Sequence, residues 1–396
     1  MPCYPGGYPR PPPGEDIGAG GQNSGAAEFA GVVRLKLLSN KLSKLGNERR
    51  TLVVDDRAEA WLRRRTSHWR DWPAERLLAW KRDQAARISV VVPARDEEAT
   101  VGAVVSAVRD ELVTRVPLVD ELVVMDSDSS DATAAVAASS GAATYRCRDV
   151  APDLGGYPGK GEALWKSLFV TTGDIVVFLD ADLTRWGSHF VTGLVGPLLC
   201  PPAPAGLAPV QLVKALYDRA VAVGVAGATV GGGRVTELVA RPMLNLWWPE
   251  LAGIAQPLSG EWAARRTLLG SLPVPVGYGV EIAVLIDTAR RHGIDAIAQV
   301  DLGERGHSHQ SDADLAVMAA ELMLVAERRR PGVLGGLAEL GGSPKLVQFS
   351  RSGRELRTRT REVPYVERPP MRSLLLAGAA GSGTGHSGAG HCETEG

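Results

Sequence analysis

Buried-strand patterns alternate with helical patterns through the middle of the chain, and this alternation constrains the fold more than any other feature. Apolar runs at residues 88–92, 122–125 and 175–179 have the length and β-branched content of buried strands. Residues 101–112 and 162–170 lie between these runs and repeat apolar side chains every three or four positions, as helices do. Such alternation predicts an α/β fold with a mostly parallel sheet that helices cover on both faces.

Weaker signals complete this pattern. Short helices are expected at residues 132–138 and 282–289, and strands at residues 142–145 and 210–215. A longer helix is expected at residues 312–329, with Ser311 as its N-cap.

Composition and charge exclude several classes of protein. A hydrophobic content of 44% with 22% charged residues is typical of a soluble globular chain, and the net charge of −1 predicts no nucleic-acid partner. No apolar run reaches the ~20 residues of a membrane span, and the chain start lacks the apolar core of a signal peptide. The four scattered cysteines form no zinc or redox motif. We therefore expect a cytoplasmic protein.

Tryptophans mark the segment that precedes the first strand. Residues 55–85 combine them with many charges, which predicts one or two amphipathic helices broken at Pro73. The tryptophans are Trp61, Trp69, Trp72 and Trp80. We interpret them as packing on the main body, because indole rings usually dominate cores and interfaces; a membrane or partner contact is the alternative.

Pairs of aspartates two residues apart occur three times. They are Asp126 with Asp128, Asp180 with Asp182, and Asp312 with Asp314. The second pair follows the strand predicted at residues 175–179, and ligands of open α/β sheets bind at the carboxyl ends of strands. Two hard oxygen ligands there suit a divalent cation held together with substrate phosphates. An aspartate pair alone is weak evidence for a metal site. The motifs around each pair must therefore show which of the three binds the metal.

Three loops in the first half of the chain carry polar side chains. Each loop can be interpreted as a ligand-binding loop or as a purely structural turn. Residues 93–98 place carboxylates in a strand-ending turn that can bind a sugar or a base edge, or in which Asp96 caps a helix. Residues 126–133 are dense in short oxygen-bearing side chains, which can bind uracil and ribose or form a plain capped turn. Residues 155–161 place Lys160 among glycines, which favours a phosphate but also fits a flexible loop; the spacing is not that of a P-loop.

Three segments of the second half also carry charged groups. In residues 231–236, backbone N–H groups after three glycines and the guanidinium of Arg234 form an anion cradle, or a loop with a surface arginine. Glu281 stands at a helix start, where the helix dipole by itself favours a carboxylate. His307 and His309 offer imidazoles that can ligate a metal, although most surface histidine pairs do not.

Taken in this order, the motifs resemble the nucleotide-sugar half of a GT-A glycosyltransferase. The matching elements are the turn at Pro93, Ala94, Glu97 and Glu98, the Asp126 loop, the Gly159-Lys160-Gly161 loop, and Phe178 to Asp182. The order is far more specific than any one motif, and it assigns the first aspartate pair to a nucleoside loop, the second to a metal and the third to a helix start. With the motifs of the second half, about residues 87–330 are similar to the glucosyl-3-phosphoglycerate synthase family of retaining GT-A enzymes.

The resemblance implies a fold and an activity. The fold would be α/β of the GT-A type, with a Rossmann-like nucleotide-sugar-binding half, a mostly parallel sheet, an acceptor-binding half and N-terminal helices. The activity would be transfer of glucose from UDP-glucose to the 2-hydroxyl of D-3-phosphoglycerate, with retention, using Mg²⁺ or Mn²⁺. The resemblance further implies a homodimer.

The resemblance also implies roles for residues that bind the donor. Glu97 and Ser127 would bind the uridine, Lys160 the pyrophosphate, and Tyr278 the transferred sugar. The other donor-binding residues would be Pro93, Ala94, Asp128, Asp180 and Ala181. Three residues would be catalytic, namely Asp182 through the metal, Glu281 at the sugar, and Arg305 by compensating the phosphate charge.

Metal and acceptor residues are implied in the same way. Asp182 and the remote His307 would ligate the metal. The acceptor would bind at Gly233, Arg234, Val235, Thr236 and His309. The family pattern has an asparagine two residues after the metal histidine, so His309 is a departure from it.

These assignments divide the chain into six segments. They are a disordered tail (1–28), a helical extension (29–85), the nucleotide-sugar-binding half (86–185), the acceptor-binding half (186–330), a C-terminal segment (331–373) and a second disordered tail (374–396). Both tails are dominated by Pro, Gly, Ser and Ala and bury too little apolar surface to fold.

Other functions stay open. A mannosyl-3-phosphoglycerate synthase or a polyprenyl-phosphate sugar transferase would share the GT-A motifs, and the donor base is not settled by these residues. A non-catalytic nucleotide-binding scaffold is the non-enzymatic alternative, for which a degraded site is expected. A nucleotidyltransferase would carry a Gly-rich first turn with Arg and Lys, unlike residues 93–96.

Overall fold

The computed structural model describes residues 48–201, 207–219, 233–306, 311–332, 344–352, 355–363 and 365–374. Its strands are β1 (Thr66–His68), β2 (Ile88–Ala94), β3 (Glu121–Asp126), β4 (Ala143–Arg146), β5 (Ile175–Phe178), β6 (Leu212–Arg219), β7 (Trp262–Arg265), β8 (Val274–Pro275), β9 (Ile297–Arg305), β10 (Lys345–Ser352), β11 (Glu355–Glu362) and β12 (Glu367–Arg368). Its helices are α1 (Glu48–Arg65), α2 (Ala74–Asp83), α3 (Val101–Val108), α4 (Thr133–Ser139), α5 (Lys160–Val170), α6 (His189–Leu199), α7 (Arg241–Trp247), α8 (Arg266–Leu269), α9 (Val280–His292) and α10 (Asp312–Arg329).

One eight-stranded sheet organises the described residues. Its strand order is β1-β9-β6-β7-β5-β2-β3-β4. Within it, β7 runs antiparallel to both neighbours and the other pairs are parallel. The predicted α/β fold with a mostly parallel sheet is therefore confirmed. Parallel order brings the carboxyl ends of β2, β3 and β5, where the polar loops begin, to the same edge of the sheet.

Apolar side chains cover both faces of the sheet. In β2, Val90 and Val92 belong to one core cluster and Val91 belongs to the other, as the alternation of side chains along a strand requires. The first cluster includes residues of α2, α3 and α6, and the second includes residues of α5, α9 and α10. Burial on both faces explains why the strands have continuous apolar runs rather than alternating ones.

The segment before the first predicted strand packs on the sheet through its tryptophans. The Trp61 indole N–H donates to the Ile294 carbonyl at 3.0 Å, and Trp72 is fully buried against Gly196, where a Cβ would lie 2.2 Å from the indole. Helix α2 starts directly after Pro73, as predicted. The packing interpretation is thus confirmed for these two rings, and the extension also supplies β1, which pairs with β9.

Several elements were not predicted from the sequence. Strands β1, β7 and β9 of the main sheet are new, as are the β10–β11 hairpin and the short β8–β12 pair. Helix α10 has the predicted bounds, and Ser311 caps it by accepting from the Asp314 N–H. The predicted tails lie outside the described residues, apart from Leu374. None of the helices in the described part of the chain combines the length and apolar content that crossing a membrane requires.

Candidate active site

A cavity of about 520 Å³ opens at the sheet edge where β2, β3 and β5 end. The residues predicted for the site that line it are Pro93, Ala94, Glu97, Ser127, Lys160, Asp180, Ala181, Asp182, Val235, Tyr278, Glu281 and Arg305. They come from both predicted halves of the chain. Tertiary structure therefore brings most of the predicted positions into one concave site.

Asp180 is held between two cations at the floor of this cavity. One carboxylate oxygen lies 2.7 Å from Lys160 Nζ, and the other lies 2.9 Å from Arg305 Nη2. Burial by itself would raise the pKa of Asp180, but the two neighbouring cations outweigh burial and lower that pKa to about 2. Asp180 is therefore an ionised carboxylate that orients Lys160 and Arg305.

Lys160 joins the two sides of the cavity. Besides Asp180, its Nζ contacts Glu281 Oε1 at 2.8 Å. Burial would lower the pKa of Lys160, but the two carboxylates raise it above its ordinary value, so the amine stays charged. The first turn of α5, which Lys160 begins, and the first turn of α9, which contains Glu281, thus meet through one ammonium group.

Arg305 is the second fixed cation. Its Nε donates to Glu261 Oε1 at 2.9 Å, its Nη2 lies 3.4 Å from Asp182 Oδ1, and its guanidinium stacks over the Tyr217 ring at 5.4 Å. Burial would lower the pKa of Arg305, but Glu261 and the neighbouring acids raise it. The end of β9 therefore carries a guanidinium that stays charged and is paired with carboxylates at the cavity wall.

Asp182 is the carboxylate with the chemistry of a metal ligand. Both aspartates line the cavity, but Asp180 contacts two cations at 2.7 and 2.9 Å, whereas Asp182 Oδ1 lies 3.4 Å from Arg305 Nη2. No group of three His, Cys, Asp or Glu side chains suited to a metal occurs among the residues that the structure describes, and His307 lies outside them. Mg²⁺ usually takes one or two carboxylates together with substrate phosphates and water, so this carboxylate fits a cation completed by substrate oxygens.

The part of the site predicted to bind the nucleoside consists of two loops, residues 93–98 and 126–133, which hydrogen bonds join. The Glu97 N–H donates to Thr133 Oγ1 at 2.8 Å, and the Ser130 N–H donates to the Asp96 carboxylate at 2.7 Å. Asp96 thus links the two loops rather than capping a helix. Burial raises the pKa of Glu97, and the Asp182 carboxylate raises it further.

Some predicted positions lie away from the cavity wall. Asp128 has a left-handed backbone (φ 58°) and its carboxylate lies 3.4 Å from Arg148, so it points to the surface. Arg234 is exposed and forms an ion pair with Asp312, and Thr236 is buried. His307 and His309 lie outside the described residues, as do Gly231 and Gly232. Gly233 is described but does not line the cavity.

Relatives of known sequence identify the family. A model of glycosyl transferase family 2 matches residues 89–190. Glucosyl-3-phosphoglycerate synthase of Petrotoga mobilis is 43% identical over 315 residues, which cover 79% of this chain and 94% of that protein. This chain belongs to the glucosyl-3-phosphoglycerate synthase family. The resemblance inferred from the motif order is confirmed.

Solved structures agree with membership of the synthase family. The Mycobacterium tuberculosis glucosyl-3-phosphoglycerate synthase in complex with Mn²⁺, UDP and phosphoglyceric acid is 43% identical, with a TM-score of 0.66, over 76% of this chain and 95% of that one. The mannosyl-3-phosphoglycerate synthase of Rubrobacter xylanophilus is 37% identical, with a TM-score of 0.72, over 80% of this chain and 98% of that one.

In this family member, three residues near the site were not predicted from the sequence. Glu261 is fully buried, and burial raises its pKa while Arg305 opposes that rise. Lys214 is also fully buried, donates to the Ser259 carbonyl at 2.8 Å, and has its pKa lowered to about 7 by burial. Gly260, the residue before Glu261, leaves no space for a Cβ, which would lie 2.1 Å from Asp180 Oδ2. For Lys214 the available signal was a charged residue inside the apolar stretch of residues 212–216.

The far side of the cavity comes from segments beyond the predicted motifs. Glu321 of α10 accepts a hydrogen bond from the Tyr278 N–H at 2.8 Å, and burial raises the pKa of Glu321. Tyr365 and Val366 of the C-terminal segment also line the cavity. Neither segment carries a recognisable motif, which is why the sequence did not reveal them.

Proposed function

We propose that this protein transfers the glucosyl group of UDP-glucose to the 2-hydroxyl of 3-phosphoglycerate, with retention of configuration. The observation that carries the proposal is a pair of cations, the partly buried Lys160 and the buried Arg305, held on Asp180 in a cavity that both predicted halves of the chain line. Such a site suits a donor with a diphosphate. Relatives of the same family bind UDP-glucose and phosphoglyceric acid together.

Charge at the cavity floor supports departure of the diphosphate. As the sugar–phosphate bond breaks, negative charge grows on the leaving oxygen, and cations already held in place stabilise it without reorganising. A bound Mg²⁺ or Mn²⁺, held by Asp182 and His307, would supply Lewis-acid neutralisation of that charge. Solved relatives contain Mn²⁺ or Mg²⁺ with UDP.

Retention requires attack from the face that the diphosphate leaves, or a covalent intermediate. The Glu281 carboxylate is the candidate nucleophile for a covalent intermediate, but its Oε1 forms an ion pair with Lys160 Nζ at 2.8 Å. We therefore favour front-face attack by the acceptor hydroxyl, with the leaving phosphate as base. Incubation with UDP-glucose followed by mass spectrometry tests this mechanism. A glycosyl adduct on Glu281 would contradict it.

The acceptor is proposed to bind beside residues 233–236. Arg234 is exposed and near enough to Asp312 to exchange that ion pair for an incoming phosphate or carboxylate. Arg234→Ala should raise the KM for 3-phosphoglycerate or abolish turnover, with UDP-glucose binding little changed. Arg357→Ala, at an exposed arginine of the β10–β11 hairpin, is the matched control. A loss confined to the donor would assign Arg234 to the other substrate.

A mannosyl donor is the second candidate, because the mannosyl-3-phosphoglycerate synthase gives a TM-score of 0.72. One experiment separates the two donors. Purified protein is incubated with 3-phosphoglycerate and a panel of UDP- and GDP-sugars, with and without Mg²⁺, and released nucleotide is measured. We expect UDP-glucose to give the highest kcat/KM; preference for GDP-mannose would overturn the proposed donor.

Two further properties stay predictions. The composition predicts a cytoplasmic location. The homodimer was implied by the family resemblance, and size-exclusion chromatography with light scattering tests it. A monomer at catalytic concentrations would contradict the second prediction.

A further inference from the structure

Residues 365–369, which we call the C-terminal strap, form part of the cavity although they lie far along the chain from its motifs. Strand β12 of the strap pairs with β8, and the Val276 N–H donates to the Val366 carbonyl at 3.1 Å. Tyr365 and Val366 line the cavity itself. The strap is thus attached to the chain segment that leads directly into the Tyr278 turn.

Arg368 attaches the same strap to the loop ahead of Lys160. This arginine is buried, and its guanidinium forms a two-pronged ion pair with Glu162 at 2.7 and 2.6 Å. It also donates to the carbonyls of Leu154 at 2.7 Å and Gly155 at 3.1 Å. Its flat face covers the Tyr157 ring at 4.6 Å. Arg368 therefore connects the short loop of residues 154–157 to the first turn of α5, where Glu162 lies.

A buried ion pair of this kind is poor evidence for a stabilising role. Taking both charges out of water offsets most of their attraction, and apolar replacements are often tolerated as well or better. Glu162 is also shared with the buried Lys166 at 3.6 Å, so one carboxylate serves two desolvated cations. What the guanidinium does supply is geometry, because its planar fork sets the direction of each bond.

The loop that Arg368 contacts ends at Lys160, the residue proposed to bind the donor phosphates. A Cβ at Gly159 would lie 2.3 Å from the Val276 carbonyl oxygen, and one at Gly161 would lie 1.8 Å from that of Pro275. The two glycines therefore let the loop pack directly against the backbone of Pro275 and Val276. The strap pairs with the same two residues through β12 and Val366. Lys160, between them, reaches Asp180 at 2.7 Å.

We propose that Arg368 is a positioning residue for Lys160, so that the C-terminal strap belongs to the donor-phosphate site. The inference rests on the proposed function in taking Lys160 as the group that binds the diphosphate. Without the guanidinium, residues 154–159 lose their carbonyl and aromatic anchors, and the ammonium of Lys160 spends less time at the donor position. Donor affinity should fall while acceptor affinity does not.

Arg368→Gln tests the proposal, with Arg357→Gln as a matched control that removes an exposed arginine of the β10–β11 hairpin. Calorimetry with UDP and Mg²⁺ gives the nucleotide Kd, steady-state kinetics give both KM values, and circular dichroism checks folding. We expect Arg368→Gln to raise the UDP Kd and the donor KM about tenfold or more, with the 3-phosphoglycerate KM within about twofold of wild type. The control should match wild type.

Arg368→Lys keeps the test decisive if the glutamine variant does not fold. The lysine retains the charge beside Glu162 but cannot form the fork to the Leu154 and Gly155 carbonyls. Weakened UDP binding in this variant supports the proposal. A folded Arg368 variant with unchanged UDP affinity, or with equal losses for both substrates, overturns it. Failure of the proposed function is a separate result, because it appears as wild-type protein that does not turn over UDP-glucose.

Discussion

Two aspartates of one short motif have different surroundings. Asp180 accepts from Lys160 at 2.7 Å and from Arg305 at 2.9 Å, so both of its oxygens are engaged. Both aspartates line the cavity, but the Arg305 Nη2 contact of Asp182 Oδ1 is longer, at 3.4 Å. Position in the motif cannot distinguish them, because the difference comes from cations elsewhere in the chain. The arrangement makes Asp180 an organiser of the site and Asp182 the candidate ligand.

Removing the Asp182 carboxylate tests this division. Asp182→Ala should abolish turnover and metal-dependent UDP binding, because the cation would lose its carboxylate ligand. Asp110→Ala removes an exposed aspartate paired with Arg109 and should leave turnover unchanged. The readouts are kcat and the UDP Kd with and without Mn²⁺. Near-normal rates in Asp182→Ala would show that another carboxylate holds the metal.

Lys214 should give the stability of the protein a pH dependence. Burial lowers its pKa to about 7 in the folded chain, whereas an unfolded lysine has a pKa of about 10.4. Between these values the unfolded state binds more protons, so stability rises with pH. The free energy of unfolding of wild type minus that of Lys214→Met should therefore rise by about 2–3 kcal/mol from about pH 6 to about pH 9. Urea unfolding at several pH values checks this; a constant difference would contradict it.

At the scale of elements, the start of α5 packs in direct backbone contact with Pro275 and Val276, at the end of β8. The Glu162 N–H donates to the Val276 carbonyl at 3.0 Å, and both flanking glycines of Lys160 face backbone atoms. Close backbone packing at a helix start fixes where the first side chain of the helix points. Lys160 therefore depends on two elements that are separate in sequence.

A methyl group at this junction should separate the two elements. Gly161→Ala places a Cβ 1.8 Å from the Pro275 carbonyl oxygen, and we expect a loss of about 1–3 kcal/mol in stability together with a higher donor KM. Gly156→Ala is the control, because its Cβ would lie 3.9 Å from Lys166 Nζ. Urea unfolding and steady-state kinetics are the measurements. Equal behaviour of the two variants would contradict the packing argument.

At the scale of the whole molecule, residues 48–85 of the N-terminal extension and the sheet pack into shared cores. Strand β1 pairs with β9, and Trp72 is buried in the same core cluster as β2 and α6. Trp61 belongs to the cluster on the opposite face. Because the extension contributes to both cores, its loss of structure should coincide with that of the sheet.

Unfolding should therefore be a single transition. Tryptophan fluorescence and far-ultraviolet circular dichroism should give one shared midpoint, and Trp72→Ala should lower it for both probes, at a cost of about 3–5 kcal/mol. Trp247→Ala, at a half-buried ring, should cost less. A separate early fluorescence transition would show that the extension unfolds independently.

Local pattern was enough for much of the fold. The continuous apolar run in β2 predicted a strand buried on both faces, and Ser311 marked the start of α10. Strand β7 was missed because its four residues, Trp262–Arg265, follow a buried glutamate and carry no strand-like run. The order of the first-half motifs predicted a nucleotide-sugar-binding half, but it did not indicate the part of the cavity that α10 and the strap supply.

By itself the sequence determined the alternating α/β architecture, the order of the donor motifs and, through them, the family. These are properties of neighbouring residues, since periodicity and turn chemistry act over a few positions. Only the tertiary structure decided which charges meet. Arg305 reaches Asp180 across 125 positions and Arg368 reaches Glu162 across 206. The fold brings such residues together where less water screens their attraction, and no local pattern encodes the partner of a buried charge.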